Sequence, residues 1–384
     1  MIGTVQTIGI MGGGQLGRMS ILAGRHMGFR FHIFEPNEGA TAAVVADDAT
    51  HAPYTDLNAV KAFAASVDVT TVEFENVDRA AAEMVEDFGV MRPSSRVLSV
   101  CQHRRREKEF LRASGFPCVR FEVVEALAHL PGAIDRIGLP CVVKTAAFGY
   151  DGKGQVKVAG DYDAAEIWSK LGGPEAVVVE QWVHHRAELS VVCARGADGE
   201  VAQFPMAENI HVNHILHASI APARVPENVA REGYALAEAI ATKLDLIGVL
   251  GVEFFWLDDV LVVNELAPRP HNSGHYTIEA TATSQFEQHI RAVAGLPLGS
   301  TELLWPAVMV NLLGDLWLNH HGSRSPDFKG LLADPTLHLH LYDKGTPRPG
   351  RKMGHFTVLD ADVELAFQRA EAHYARLAFA ESLR

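Results

Sequence analysis

Two parallel strands cannot be joined by a tight turn; they need a crossover, and the first 35 residues spell one out. Thr7 to Met11 reads as a buried strand, Gly12 to Gly17 as a turn, the residues through about Met27 as a helix, and Phe31 to Phe34 as a second strand ending in Glu35. The pattern continues with an apolar-periodic segment at Leu57 to Ser66, a strand at Val69 to Phe74 and a helix from about Asp78 to Phe88. Parallel strands separated by helices imply an open, doubly wound sheet, closing around Arg92-Pro93-Ser94. Such sheets bind ligands at the C-terminal ends of their strands, where Glu73 and Glu75 fall; a helix cap or a solvated acid pair is the alternative for both. Gly12-x-Gly14-x-x-Gly17 with Glu35 beyond the second strand formally satisfies the dinucleotide fingerprint, so an NAD-dependent dehydrogenase stays open at this point. The pattern is weak evidence, because a helix N-terminus behind glycines accepts many anions.

A second feature adds chemistry. From Cys141 to Gln155 an apolar strand delivers Lys144 and then breaks into Gly149, Gly152 and Gly154. Glycines there let several main-chain N–H groups turn toward one anion, and Lys144 adds a full positive charge. The stretch lacks P-loop spacing, and a plain hairpin with a polar glycine tip is the competing reading. More than a hundred residues later, Glu253 and Glu265 sit inside apolar, β-rich runs, where an ionised side chain is costly unless paired or bound to a cation. Mg²⁺ takes one or two carboxylates plus phosphate oxygens, which these two, Asn264 and a bound nucleotide could supply.

At 384 residues the chain exceeds what one core usually serves, so two or three domains are expected. A net charge of −13 argues against a general nucleic-acid or membrane-surface protein, both of which need a positive field. Any phosphate site must then be local. The four cysteines are widely spaced and form no metal framework, which fits a reducing cytoplasm; no export signal or membrane anchor is read. His103 to Lys108 opens a helix crowded with cations, and most of such a run is expected to be a solvated face. The helix from about Ala230 to Leu244 reads as scaffold. After Pro297 the composition shifts to Trp, Pro and short strands, ending in a helix from about Asp362 to Leu377. Lys344, Arg348, Arg351 and Lys352 form a basic cluster there that suits a monophosphate.

Four stretches carry a resemblance: Gly12-Gly13-Gly14-Gln15-Leu16-Gly17-Arg18-Met19, Gly149-Tyr150-Asp151-Gly152-Lys153-Gly154-Gln155, Asn264 to His275, and Tyr342-Asp343-Lys344 with Arg348 to Lys352. In this order, with Lys144 and Glu180-Gln181-Trp182-Val183 between them, they resemble the ATP-grasp superfamily and, within it, the 5-(carboxyamino)imidazole ribonucleotide synthases. The resemblance implies a three-domain ATP-grasp architecture of α/β and α+β class. An N-terminal doubly wound parallel sheet would take residues 1–103. A central ATP-grasp domain would take 104–297, with a small lid subdomain in 104–183 and a mobile glycine-rich loop, and a small C-terminal β-rich module 298–384.

It implies ATP-dependent carboxylation of 5-aminoimidazole ribonucleotide by bicarbonate in purine biosynthesis, with release of ADP and phosphate, by a cytoplasmic ligase that is a homodimer. ATP would be held by Arg104, Lys144, Gly149, Tyr150, Asp151, Gly152, Lys153, Gly154, Glu180, Gln181, Trp182, Val183, Glu188, His211, Asn264 and Glu265, with Lys108 also brought toward it. Glu253 and Glu265 would hold Mg²⁺ or Mn²⁺. Arg269, His271 and Asn272 would cradle bicarbonate, and Asp151 would accept the proton of the substrate amine. Gln15, Leu16, Glu73, Tyr150, Lys153, Lys344 and Arg351 would bind the ribonucleotide. His214 and His217 are read as structural. Many relatives carry arginine where this chain has Lys153, and some carry glycine where it has Phe148. A sister enzyme acting on glycinamide ribonucleotide with formate, and a nucleotide-binding sensor without turnover, remain open on sequence.

Overall fold

The first sheet follows directly from the alternation in the sequence. In the computed structural model, which describes residues 5–147, 154–258, 260–319 and 322–379, strands β1 (Thr7–Met11), β2 (Arg30–Phe34), β3 (Asp48–Thr50) and β4 (Val69–Val72) pair in the order β3-β2-β1-β4. Every pair is parallel, and Ile8 lies opposite Phe31 on one side and Val69 on the other. Both faces are covered: Ile8, Ile10, Phe31 and Ile33 are buried on one and Met11, Phe34 and Val72 on the other, as a parallel sheet between helices requires. The short β3 was not read from sequence, because three residues carry too little periodicity.

A small antiparallel sheet follows, in the order β5-β8-β6-β7: β5 is Phe121–Val124, β6 Cys141–Thr145, β7 Gln155–Val158 and β8 Val177–Gln181. Helices Leu130–Ile137 and Ala164–Lys170 carry Ile134 and Ile167 into a core with Val143 and Val179.

The remaining strands form one large antiparallel sheet. It comprises β9 (Ala187–Arg195), β10 (Val201–Gln203), β11 (Ala207–Val212), β12 (Ile215–Ala221), β13 (Gly248–Trp256), β14 (Leu261–Ala267) and β15 (Ala307–Leu313), with a two-stranded ribbon of β16 (Leu318–Asn319) and β17 (Gly322–Ser323) set apart. β18 (Leu337–Leu341) and β19 (Lys352–Leu359) complete it, in the order β14-β13-β9-β11-β12-β15-β19-β18, with β10 beside β9. Pairing of β12 with β15, Ala218 opposite Val310, carries the sheet without a break into the C-terminal module. That module is β-rich as its composition implied, and it extends the central sheet. No described helix is long and apolar enough to cross a membrane.

The helix Arg104–Ala113 corrects one expectation. Its charge run is not simply a solvated face, for Glu107 and Lys108 are buried against β14, an edge strand of the large sheet. Glu107 Oε2 accepts from Leu266 N at 3.0 Å, and Lys108 Nζ donates to Asn264 O at 2.8 Å. The two side chains satisfy backbone groups of that edge, which would otherwise stay open to foreign pairing. Lys108 is thus fixed on main-chain carbonyls and is not among the residues lining the nucleotide-sized cleft described next.

Candidate active site

β13 and β14 set the centre of the site. Their register puts Glu253 directly opposite Glu265, with an irregularity just after Glu253. Two carboxylates facing each other across a sheet repel. Asn264 Nδ2 donates to Glu253 Oε2 at 3.3 Å, and His271 Nε2 lies 3.3 Å from Glu253 Oε1. Burial pushes the Glu253 carboxyl up, but His271, His211 and Lys352 outweigh it and hold it well below the ordinary range. Glu265 moves the other way, raised by burial and by Glu253 itself. A hard cation between them would relieve that opposition. Among the described residues no group of three or more His, Cys, Asp or Glu could hold a metal ion unaided, so oxygens of a bound ligand would have to complete the shell.

These carboxylates line a cleft of about 830 Å³ whose walls come from all three sheets. Gln15, Leu16, Glu73 and Glu75 line it from the first sheet, Lys144, Gln181, Trp182 and Val183 from the small sheet and its exit, and Lys352 from β19. Arg104, Glu180, Glu188, His211, Asn264, Arg269, His271 and Asn272 also lie on its wall. The structure thus brings together most of the residues singled out from sequence.

Their pairings differ in detail from what the sequence implied. Lys144 Nζ is 2.7 Å from Glu180 Oε2, and Arg104 Nε is 3.8 Å from Glu180 Oε1. Glu180 is 2% exposed, and although burial raises its carboxyl, Lys144, Lys108 and Arg104 hold it at about 2. It organises a nest of cations, and Lys144 is engaged within the protein. Glu188 lies 3.1 Å from His211 Nδ1 and 3.6 Å from His185 Nε2, and His185 stacks on Phe255 with ring centroids 4.9 Å apart. Trp182 is covered by Lys157, whose Nζ sits 3.6 Å from the ring centroid.

On the opposite wall the Arg269 guanidinium grips Glu75, with Nη2 at 3.2 Å from Oε1 and Nε bonded to Oε2. Burial raises the Glu75 carboxyl, yet Arg269 brings it below its ordinary range. Much of the guanidinium fork expected to face bicarbonate is therefore occupied by Glu75. Asn272 exchanges amide hydrogen bonds with Asn311 at 3.1 and 2.8 Å, and His271 Nδ1 lies 2.8 Å from Ser273 Oγ, which leaves Nε2 toward Glu253.

Glu73 settles the dinucleotide question. Its carboxylate accepts from Gly17 N at 2.9 Å and from Gly14 N, so the anion site at the start of helix Gln15–Arg25 is filled by the protein's own side chain. A Cβ on Gly12, at φ +114°, would lie 2.3 Å from Glu73 Cγ. The glycines serve this approach of Glu73, and a dinucleotide pyrophosphate has no free turn to bind.

Phe148, Gly149, Tyr150, Asp151, Gly152 and Lys153 lie outside the described residues. Gly154, at φ +71°, closes the base of that loop, its carbonyl accepting from Thr145 N at 2.8 Å.

In the C-terminal basic stretch, Arg351 is not a lining residue; its Nη1 donates to Thr346 O at 2.9 Å. The next residue, Lys352, which opens β19, is on the cleft wall instead. Lys344 is likewise not a lining residue; it is half-buried behind the wall, and its charge acts on Glu73, which does line the cleft. His217 is structural as expected, 2.9 Å from Glu371, whereas His214 lines the cleft from the turn after β11. His185 and His214 were passed over as site residues, and Lys352 was read only as one member of the basic cluster suited to a monophosphate.

Comparison with known proteins places the chain among relatives. Family models match for a ribonucleotide synthetase preATP-grasp domain over residues 5–102, an ATP-grasp domain over 109–286 and a phosphoribosylaminoimidazole carboxylase C-terminal domain over 307–369. The N5-carboxyaminoimidazole ribonucleotide synthase of Bacillus subtilis (strain 168) is 42% identical over 359 residues, covering 92% of this chain and 91% of that one. The solved ADP complex of an N5-carboxyaminoimidazole ribonucleotide synthetase superposes with a TM-score of 0.90 at 41% identity, covering 97% of each chain. The Aspergillus clavatus synthase in complex with ADP and 5-aminoimidazole ribonucleotide superposes with a TM-score of 0.85 at 31% identity, also over 97% of each chain. With close relatives along nearly its whole length and all three domains matched in order, the chain belongs to the N5-carboxyaminoimidazole ribonucleotide synthase family of ATP-grasp ligases.

Proposed function

We propose that the residues of this cleft carry out ATP-dependent carboxylation of the exocyclic amine of 5-aminoimidazole ribonucleotide by bicarbonate, releasing ADP and phosphate. The observation that supports it best is one cleft whose wall holds an opposed carboxylate pair, a buried cation nest and Lys352 from the C-terminal module. Bicarbonate is a poor electrophile. Transfer of the γ-phosphoryl group to it creates a leaving group, and the amine then attacks the carbonyl carbon, or the CO₂ it releases, as phosphate departs.

Each role follows from what a side chain can reach. Lys144 and Arg104, held together on Glu180, present positive charge to the phosphates. The strand exit at Gln181, Trp182 and Val183 offers backbone groups to the adenine, and Glu188, set by His211, takes the ribose hydroxyls. Glu253, Glu265 and Asn264 fit a magnesium ion, because a carboxylate pair pushed apart in acidity is stabilised by a shared dication. When bound, Mg²⁺ offsets the charge of the bridging phosphate oxygens. His271 and Asn272 bound the bicarbonate pocket, with Arg269 braced behind it by Glu75. Lys344 and Lys352 take the substrate's 5′-phosphate, and Arg351 shapes their loop. Asp151, Tyr150 and Lys153 are assigned to the amine side by resemblance. A homodimer and a cytoplasmic location accompany this reading on family resemblance and cysteine usage.

The test is ADP release at fixed ATP and Mg²⁺ with two substrate pairs. Turnover with 5-aminoimidazole ribonucleotide and bicarbonate is expected, and turnover only with glycinamide ribonucleotide and formate would overturn the reading.

A further inference from the structure

The loop between β18 and β19 carries the basic cluster, and its base is held by buried polar groups that the proposed chemistry leaves unused. Tyr342 closes that base: its N–H donates to Met353 O at 2.9 Å, and its hydroxyl lies 2.7 Å from His355 Nδ1. The Tyr342 carbonyl accepts from Thr41 Oγ1, a residue of the first domain. His355 is sandwiched between His340, stacked at 4.5 Å and 8°, and His275, whose ring is 4.8 Å away. His275 Nδ1 accepts from Gln285 Nε2 at 3.2 Å. That orientation of the amide follows from its other bonds, since Gln285 Oε1 accepts from His271 N and its Nε2 donates to His271 O, both at 2.8 Å. Thr41, Tyr342, His355, His275 and Gln285 therefore form a contact chain through all three domains, ending on the backbone of His271.

Tyr342, His355 and His275 are almost completely buried, so none of these rings can shift without opening a void. Lys344 follows Tyr342 by two residues. Between them Asp343 takes a left-handed φ of 56°, and Gly345 beyond takes 66°, so the direction of Lys344 is set within a tight corner. Its Nζ stands 5.6 Å from the Tyr342 ring centroid. On the return strand Lys352 immediately precedes Met353, the residue that Tyr342 N–H grips.

We infer that the Tyr342–His355 pair, anchored by Thr41, is a positioning device for the ribonucleotide side of the cleft, fixing the loop base from which Lys344 and Lys352 meet the substrate phosphate. It rests on the assignment of those lysines to the phosphate. The groups assigned to ATP, Lys144, Glu180 and Glu188, are carried by other strands.

Tyr342→Phe keeps the ring and removes only the hydroxyl, and Thr41→Val keeps the shape and removes the anchor. Each is expected to raise KM for 5-aminoimidazole ribonucleotide about tenfold, the effect of one buried hydrogen bond, with KM for ATP within about twofold. The double variant should fall short of the product of the two, because the bonds act on one residue. Lys344→Ala, measured alongside, separates the two levels. If Lys344→Ala weakens ribonucleotide binding while Tyr342→Phe and Thr41→Val lower only the melting temperature, the pair is mere packing and the inference is overturned. Parallel rises in both KM values overturn it equally. If Lys344→Ala leaves ribonucleotide binding unchanged, the phosphate assignment fails and the inference with it.

Discussion

Glu265 faces another carboxylate across the sheet, and burial already pushes its acidity down. Replacing it by Gln removes one charge and keeps the shape. Two properties should then move in different directions. Turnover is expected to fall roughly a hundredfold or more, several kcal/mol of lost transition-state stabilisation, since a magnesium ion held here would lose a ligand. Stability should hold or rise, because the repulsion with Glu253 is gone. Steady-state rates and a melting curve on the same sample check this; near-normal turnover at saturating Mg²⁺ would remove Glu265 from the metal site. Pairings at this scale were the least legible in sequence. Arg269 with Glu75, and Lys144 with Glu180, join residues 194 and 36 positions apart, and no local pattern announces which carboxylate a cation will meet. Lys352 opens β19 and lines the cleft, whereas Arg351, one residue earlier and outside the strand, turns back to Thr346.

Among the elements, β14 depends on an unusual brace. It is an edge strand that carries Asn264 and Glu265, and its outer side is held by Glu107, Lys108 and the Val263 N to Pro117 O bond of 2.8 Å. Lys108→Met fills the same space without donors and leaves the Asn264 carbonyl buried and unpaired. The loss expected is about 1–3 kcal/mol, read as a lower urea midpoint, with KM for ATP changing little in the fraction that stays folded. An unchanged midpoint with a large rise in KM for ATP would return Lys108 to the nucleotide site. The strands and helices themselves were largely legible. β1, β2, β6, β8, β13 and β14 follow from apolar runs bounded by turn residues, and the helices Arg79–Phe88 and Glu227–Leu244 from 3.6-residue spacing. What the sequence hid is that Glu107 and Lys108 of the charge run at Arg104 face inward, because a buried charged pair has the same composition as a solvated one.

For the whole molecule, buried histidines govern the first stage of acid sensitivity. His289 is lowered to about 4 by burial, and His275 and His355 lie well below their ordinary value because burial, neighbouring histidines and, for His275, Lys352 and Arg269 disfavour a proton. A depressed folded-state pKa means the unfolded chain binds more protons, so this contribution is full above about pH 6.5 and is lost as pH falls toward 4. Glu107, raised to about 8 chiefly by burial, has the opposite sign, stabilising at low pH and losing that contribution as pH rises through 8. The net slope mixes the two, and a difference isolates one. His289→Gln should flatten the loss of stability between pH 6.5 and 4.5 by about 1.4 kcal/mol per pH unit relative to the parent, measured by urea unfolding. Identical slopes would mean that His289 is not held neutral.

The three-part architecture was legible because each part begins with its own signal: glycines after a strand, lysine before glycines, prolines with basic residues. That the last part continues the central sheet through Ala218 and Val310 was not, since register between distant strands is set only when they meet. The account stands on one reaction at the junction of these parts. Its most direct test follows isotopically labelled bicarbonate with ATP, Mg²⁺ and 5-aminoimidazole ribonucleotide, measuring ADP and labelled ribonucleotide together. The account predicts one labelled carbon in the ribonucleotide for each ADP released, with neither product formed when the ribonucleotide and its label acceptor amine are withheld. ADP release that proceeds without label entering the ribonucleotide would contradict it.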